Sequence, residues 1–250
     1  MMEPEQDMTK SSAGEDPRYT FHKHQSQVAR EVKNLAPLIN PPVSNPAPLG
    51  LFAFAITTAL LQVEHAKLAG DNTAEDLKGV TYLVWGFAMF YGGLLQVIAG
   101  VHEFRRNNTL GYTAFLSYGG FWMALGLANI VLMLSPNENV MATGFNLQAM
   151  QAMLVMFGLL TGVFWICSFS VNATICSLFF LLMSLFFLLA GGTVNKTCDR
   201  VAGYVGFVTA FNAFWLATAE IINEVIGKGK VIIPLGQFSG IKLAGRLHHV

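Results

Sequence analysis

Between Asn139 and Asn195 the chain runs for 57 consecutive residues without an Asp, Glu, Lys, Arg or His. A soluble domain needs charge on the outward face of its elements, and this run has none to offer. It is long enough for two helices of about 20 residues, the length that crosses a hydrocarbon core. The polar hinge 168–174 divides it into spans of about 148–167 and 175–194.

The rest of the chain follows the same pattern. Of 250 residues 53% are hydrophobic and 12% charged, with 20 Phe and 24 Gly against 15 Lys+Arg and 15 Asp+Glu. A globular domain carries about twice that share of charge. The expected fold class is therefore an all-α integral membrane protein. Zero net charge gives no footing for nucleic acid. Cys167, Cys176 and Cys198 are odd in number and form no CxxC pair, and they read as buried small hydrophobes rather than a redox or metal site. Residues 1–45 hold no apolar stretch of signal-peptide type, so the first membrane helix is expected to act as its own insertion signal.

The polar and apolar parts meet at Asn45-Pro-Ala-Pro-Leu-Gly50. Pro41, Pro42, Pro46 and Pro48 forbid one helix running through this point. Asn45 as N-cap and Pro46 as first helical residue start a new one. Residues 1–44 then form a polar cytoplasmic tail, largely disordered, with a short helix near 25–35. Residues 45–227 form a membrane domain of six helices, at about 46–69, 80–101, 112–134, 148–167, 175–194 and 201–226. Residues 228–250 form a cytoplasmic C-terminal tail. Six spans put both termini on one side. Eleven of the 15 Lys+Arg fall on that side against four on the other, which makes it the cytoplasm.

Polar residues inside the spans are few. Phe54, Thr58 and Gln62 share one face of the first helix, with Thr57 and Leu61 beside them. Gly92, Gln96 and Gly100 share a face of the second. Tyr118, Trp122, Leu125 and Asn129 share a face of the third, and Gly158 and Gly162 form a small-xxx-small pair on the fourth. Ala213, Ala217, Glu220 and Glu224 share a face of the sixth. Gln96 reads equally as helix–helix glue and as path lining. The mid-membrane groups Thr57, Thr58, Gln96, Tyr118 and Asn212 are neutral hydrogen-bonding groups. The carboxylates Glu64, Glu220 and Glu224 lie near helix ends, as solvated ends or as vestibule and proton-linked groups. Such a lining suits a small polar solute passing an apolar constriction, and does not suit a multivalent ion or a long proton wire. No HExxH, Walker loop or GxSxG stands in the chain, so no enzyme is expected, and no cofactor.

Four groups of residues converge on one resemblance. Asn45-Pro-Ala-Pro-Leu-Gly-Leu51; Phe90-Tyr-Gly-Gly93 with Gln96 and Ala99-Gly100; Asn108-Thr-Leu-Gly111 with Thr113-Ala-Phe115 and Ser117-Tyr118-Gly119; and Glu220-Ile-Ile-Asn-Glu224 together resemble the acetate uptake transporter family over residues 45–236. Bacterial members are acetate–succinate permeases, and fungal members are acetate and ammonia-export proteins. The resemblance implies a six-helix protomer in a ring-like hexamer, each protomer with its own path; the expected location is the plasma membrane, with an internal membrane as the alternative. It implies transport of acetate and other short carboxylates, by a channel-like or proton-linked route. By matched position it implies a constriction of Phe54, Tyr118 and Leu182, a solute contact at Asn45, and a small size-setting residue at Ala213. Trp122 falls on the Tyr118 face and is grouped with the substrate-binding residues. The segment Gly191-Gly-Thr-Val-Asn195 is shorter than the family's usual Gly/Asn-rich run. The route this reading expects draws acetate in by basic residues and the first helix N-terminus, holds it at Asn45, and passes it dehydrated with its carboxyl bonded to Tyr118 or Gln96. Two rivals remain. One is a path for ammonia or ammonium, weakened because no His is expected within the spans. The other is an acetate-responsive membrane sensor that transports nothing.

Overall fold

Asparagine starts the helices of this chain. In the computed structural model, which describes residues 17–39, 44–68, 74–135, 146–228 and 230–238, four helices carry an Asn cap whose Oδ1 accepts a backbone N–H two or three residues on. These are Asn108 to Gly111, Asn146 to Ala149, Asn172 to Ile175, and Asn195 to Thr197 and Cys198. The cap satisfies a donor that the first helical turn leaves open. Asn45 works the same way one step removed. Pro46 is already helical (φ −83°, ψ −13°) and its carbonyl takes the Gly50 N–H, while Asn45 Oδ1 takes the Ala47 N–H at 3.2 Å.

The described residues are all helical or irregular. The chain forms two compact units, 1–44 and 45–250. The first holds α1, Pro17–Ile39, which is longer than the short helix expected near 25–35. Its sequence from 18 to 36 contains no Gly or Pro and is rich in residues with good helix propensity, so nothing stops it earlier.

The second unit holds α2 (Ala47–His65), α3 (Ala74–Phe87), a π-helical turn (Ala88–Leu94), α4 (Leu95–Arg105), α5 (Thr109–Met133), α6 (Leu147–Ser168), α7 (Ala173–Gly192) and α8 (Lys196–Val225). The stretch α3–π–α4 is one rod, and its part Val80–Arg105 makes one of six helices here that are long and apolar enough to cross a membrane. The π turn falls on the Phe90-Tyr-Gly-Gly93 motif, where the Leu95 N–H reaches back five residues to the Phe90 carbonyl. The expected loop prolines 41 and 42, the polar loop at 136–145 and residues 239–250 of the C-terminal tail lie outside the described residues.

The six rods close a ring. α2 lies against α8 and against α3–π–α4; α8 continues to α7, α7 to α6, and α4 to α5. α5 and α6 meet chiefly through side chains, Phe121 on Phe157 at 4.8 Å between ring centroids and Tyr118 on Phe164 at 6.0 Å. Glycines let the rods approach. Gly158 faces Phe187 and Gly162 faces Met183, so the expected packing pair on the fourth span does join α6 to α7. A Cβ on Gly119 would stand 2.9 Å from the Gly93 carbonyl oxygen, which fixes the distance between α5 and the π turn.

Two expectations need correction. No cysteine is fully buried, and Cys167 is exposed. A membrane helix is apolar on every face, so an apolar run does not tell core from lipid side. The segment after α8 is also more than a tail, because residues 230–236 are fastened to the bundle. Asn223 Oδ1 accepts the N–H groups of Ile232 and Ile233, and the Leu235 and Gly236 carbonyls take the N–H groups of Thr174 and Ala173 at the start of α7.

Asn45 also binds the bundle at one end. Its Nδ2 donates to Glu220 Oε2 at 2.9 Å, its N–H to Glu224 Oε1 at 3.4 Å, and Arg106 Nη1 donates to its Oδ1. One side chain thus ties the start of α2 to the ends of α4 and α8.

Two outcomes follow for purified protein in detergent. Gly119→Val overpacks the α5–π contact and lowers the melting temperature, with a cost of about 1–3 kcal/mol. The neighbouring Gly120→Ala meets nothing within 4 Å and leaves it unchanged; equal melting of the two variants contradicts the close approach. Asn45→Asp keeps the cap acceptor but turns a donor to Glu220 into a second carboxylate oxygen. It melts below wild type at pH 7, and the deficit narrows as pH falls toward the carboxylate range near about 4, where repulsion is neutralised.

Candidate functional site

Polar side chains inside a bundle normally find partners. Here several fully buried ones do not: both amide ends of Gln62 and of Gln96, and the hydroxyls of Thr57 and Thr58. Three of these four side chains line a row of cavities between α2, α5 and α7.

The first cavity, about 120 Å³, opens at the Asn45 end and takes in Gln96, Phe115, Leu178 and Glu220 among its walls. The second, about 30 Å³, lies among Thr58, Gln62, Trp122 and Phe186. The third, about 320 Å³, lies at the other end, with Glu64, His65, Asn129 and Asp199. Phe54, Tyr118 and Leu182 line both the first and the second, so they form the wall between them. Leu61, Phe121 and Leu189 line both the second and the third.

Packing and hydrogen bonds hold the first wall in place. Phe54, Tyr118 and Leu182 come from α2, α5 and α7 and are all buried. The Tyr118 ring meets Phe54 at 6.2 Å and Phe186 at 6.4 Å. Its hydroxyl lies 2.9 Å from Thr161 Oγ1, and Thr161 in turn donates its proton to the Phe157 carbonyl at 2.6 Å. The Thr161 oxygen is therefore the acceptor, and the Tyr118 proton is committed to it. Tyr118 keeps its own lone pairs to accept with, but no free proton to give.

The sequence-derived residues divide accordingly. Phe54, Tyr118, Leu182, Gln96 and Glu220 reach the first cavity, Thr58 and Trp122 the second, and Glu64 the third. Thr57 instead packs against Gly92 of the π turn, Asn212 donates to Ser177 Oγ at 2.8 Å between α8 and α7, and Ala213 is buried in α8. None of these three lines the row of cavities. Glu224 is exposed and holds the Asn45 N–H.

The anion cradle expected at Asn45 is not open. Both ends of the Asn45 amide are taken by the protein, the Ala47 N–H is capped, and Pro46 and Pro48 have no N–H to give. Carboxylates crowd there instead. Glu103, near the end of α4, is fully buried; its Oε2 accepts from Asn108 Nδ2 at 2.7 Å, and Arg106 stands 3.6 Å from its Oε1. Nothing in the hydropathy pattern separates Glu103 from its solvated neighbours; the signal was its place five residues before the Asn108 cap. His65 is a second correction. It stands just past the uncharged part of the first span, yet it lines the third cavity with its Nδ1 2.6 Å from Asp199 Oδ1.

With that geometry in view, comparison with known proteins places the chain. Residues 29–231 match the GPR1/FUN34/yaaH family. The succinate-acetate/proton symporter SatP of Escherichia coli strain K12 is 32% identical over 204 residues, covering 79% of this chain and 98% of the symporter. The ammonia transport outward protein 2 of Saccharomyces cerevisiae is 35% identical over 197 residues, covering 76% of this chain and 66% of that protein. The solved structure of the bacterial acetate channel SatP superposes with a TM-score of 0.67 at 31% identity, over 78% of this chain and 100% of that one. A multi-pass integral membrane protein of six spans, the chain belongs to the GPR1/FUN34/yaaH family.

Proposed function

We propose that this protein is a membrane transporter or channel for acetate and related small carboxylates, succinate among them, and not an enzyme. The observation that carries the reading is the wall of Phe54, Tyr118 and Leu182 with the partnerless amide of Gln96 on its Asn45 side. An apolar wall strips water from a solute, and an unspent amide beside it offers a substitute hydrogen-bond partner. The similarity to SatP, named for succinate, acetate and protons, supports the same substrates.

The chemistry favours the protonated acid. Dehydrating a carboxylate costs far more than dehydrating a neutral acid. At the Asn45 end three carboxylates, Glu103, Glu220 and Glu224, share Arg106 in one network, which discourages an entering anion. Tyr118, its proton spent on Thr161, can accept from an acid O–H but has nothing to donate to a carboxylate. Transport of the neutral form moves one proton with each acid and so amounts to proton-linked uptake. The distribution of Lys and Arg supports both termini in the cytoplasm, and the family resemblance supports a ring-like hexamer with one path in each protomer.

A second reading, ammonia export, is favoured by the name of the yeast relative and by His65 on the third cavity. It is the weaker, because the middle of the path is walled by aromatic and aliphatic groups with no imidazole near Gln96.

Labelled acetate uptake into proteoliposomes checks the first reading. Wild type takes up acetate above empty liposomes, severalfold faster at pH 5 than at pH 7 for the same total acetate. Tyr118→Ala changes the rate by removing part of the wall. Uptake that does not rise at the lower pH contradicts passage of the neutral form. No uptake by folded protein, together with ammonium movement, turns the assignment to the second reading.

A further inference from the structure

Among the fully buried polar side chains without partners, the largest that the wall at Phe54 and the station at Gln96 do not use is Gln62. Gln62 is fully buried, and neither end of its amide has a hydrogen-bond partner. It projects from α2 two turns after Phe54, about 12 Å further along the axis, on the same face as Thr58. Both Gln62 and Thr58 line the second cavity, and the Thr58 hydroxyl is also without a partner. The fold makes room for this amide: Gly206 of α8 lies against it, and any Cβ there would overlap the Gln62 side chain. Apolar residues close the cavity on both sides, Phe54, Tyr118 and Leu182 toward Gln96, and Leu61, Phe121 and Leu189 toward His65.

We infer that Gln62, with Thr58, is a second carboxyl-binding station beyond the wall, the counterpart of Gln96 before it, and that it takes the acid in its neutral form. A primary amide and a carboxylic acid are complementary. The amide N–H donates to the acid carbonyl while the amide oxygen accepts the acid O–H, giving two hydrogen bonds in one plane. A carboxylate could satisfy only the amide N–H and would set its other oxygen against the amide oxygen. The Thr58 hydroxyl supplies one further donor to the same carbonyl. The cavity, about 30 Å³ against about 120 Å³ for the first, keeps a solute's carboxyl in touch with this side of α2. An acid leaving Gln96 then exchanges one amide for another across the wall, instead of crossing the whole apolar core unpaired. The inference rests on the carboxylate-transport reading above.

The alternative is that Gln62 only fills space between α2 and α8. The two differ in sign. An unpaired buried amide kept for a ligand burdens the folded protein, so Gln62→Met, similar in volume and without the amide, should raise or preserve the melting temperature while weakening transport. A filler that steadies the helix pair should do the reverse. Acetate uptake into proteoliposomes at pH 5 is measured over a range of concentrations for wild type, Gln62→Met and Thr58→Val, beside thermal unfolding of each. The expected result is a half-saturating acetate concentration raised about tenfold in Gln62→Met, the equivalent of one good hydrogen bond, and raised to a lesser degree in Thr58→Val, with melting temperatures at or above wild type. An unchanged half-saturation in Gln62→Met overturns the inference while wild-type uptake leaves the transport reading standing. If Gln62→Met does not fold, Thr58→Val decides: a raised half-saturation supports the station and an unchanged one overturns it. If wild type takes up neither acetate nor succinate, the transport reading fails and the station falls with it.

Discussion

In a bilayer a polar group has no water to fall back on, and this one constraint orders the interior of the molecule. It bears least on the helix starts, where three of the four capping asparagines are exposed. Asn108, Asn146, Asn172 and Asn195 each take a first-turn N–H, and Asn45 does the same for α2 across Pro46. It explains the hydroxyls turned back on their own helices, such as Thr209 on the Val205 carbonyl and Ser184 on Phe180. Against that background the buried polar atoms left without partners stand out, Thr57 against the π turn among them. Three of them, Gln62, Gln96 and Thr58, lie along one line of cavities, which is the path the proposed function uses.

The same constraint sets the aromatic wall. Tyr118 is tolerated in the centre because Thr161 accepts its proton, and Thr161 is tolerated because it passes its own to a helix carbonyl. That chain fixes the ring in one orientation, against Phe54 on one side and Phe164 and Phe186 on the others. A wall held by a hydrogen-bond chain is stiffer than one held by packing alone, and stiffness is what lets an apolar constriction discriminate. The backbone contact between α5 and α6 is slight, so these aromatic side chains also close the ring of rods there.

Much of this was legible in the sequence, for physical reasons. Charge-free runs count spans directly, and all six stand where hydropathy puts them. Asn45 with two prolines marks the first start because Pro fixes φ and removes donors. The grouping of Tyr118, Trp122, Leu125 and Asn129 follows from helical spacing alone, and all four line the second or third cavity. What the sequence hid depends on side-chain direction and distance between helices. The π turn at Ala88–Leu94 shifts the face presented before and after it, so Thr57 and Gly92 meet in a contact no heptad count predicts. Glu103 and His65 sit beside other charged residues, and only the fold distinguishes a buried carboxylate from a solvated one. Asn212 and Ala213 occupy the right helix but face α7 and the core instead of the cavities.

The two ends of the path are unlike, and the difference bears on how a proton could travel with an acid. At one end Glu103, Glu220 and Glu224 are drawn into a network with Arg106 through Asn45. At the other, His65 and Asp199 form a pair only partly sheltered from solvent, beside Glu64. Between them the described lining has no ionised side chain, only an amide, hydroxyls, aromatic rings and leucines. A charged solute would therefore leave one set of fixed charges and cross to another with nothing in between to stabilise it, at a cost no pair of neutral amides can offset. A neutral acid carries its own counter-charge as a bound proton and needs only the two hydrogen bonds an amide supplies. On the proposed function the proton then needs no side-chain relay through the centre, in keeping with a described lining that has no carboxylate or imidazole at its middle.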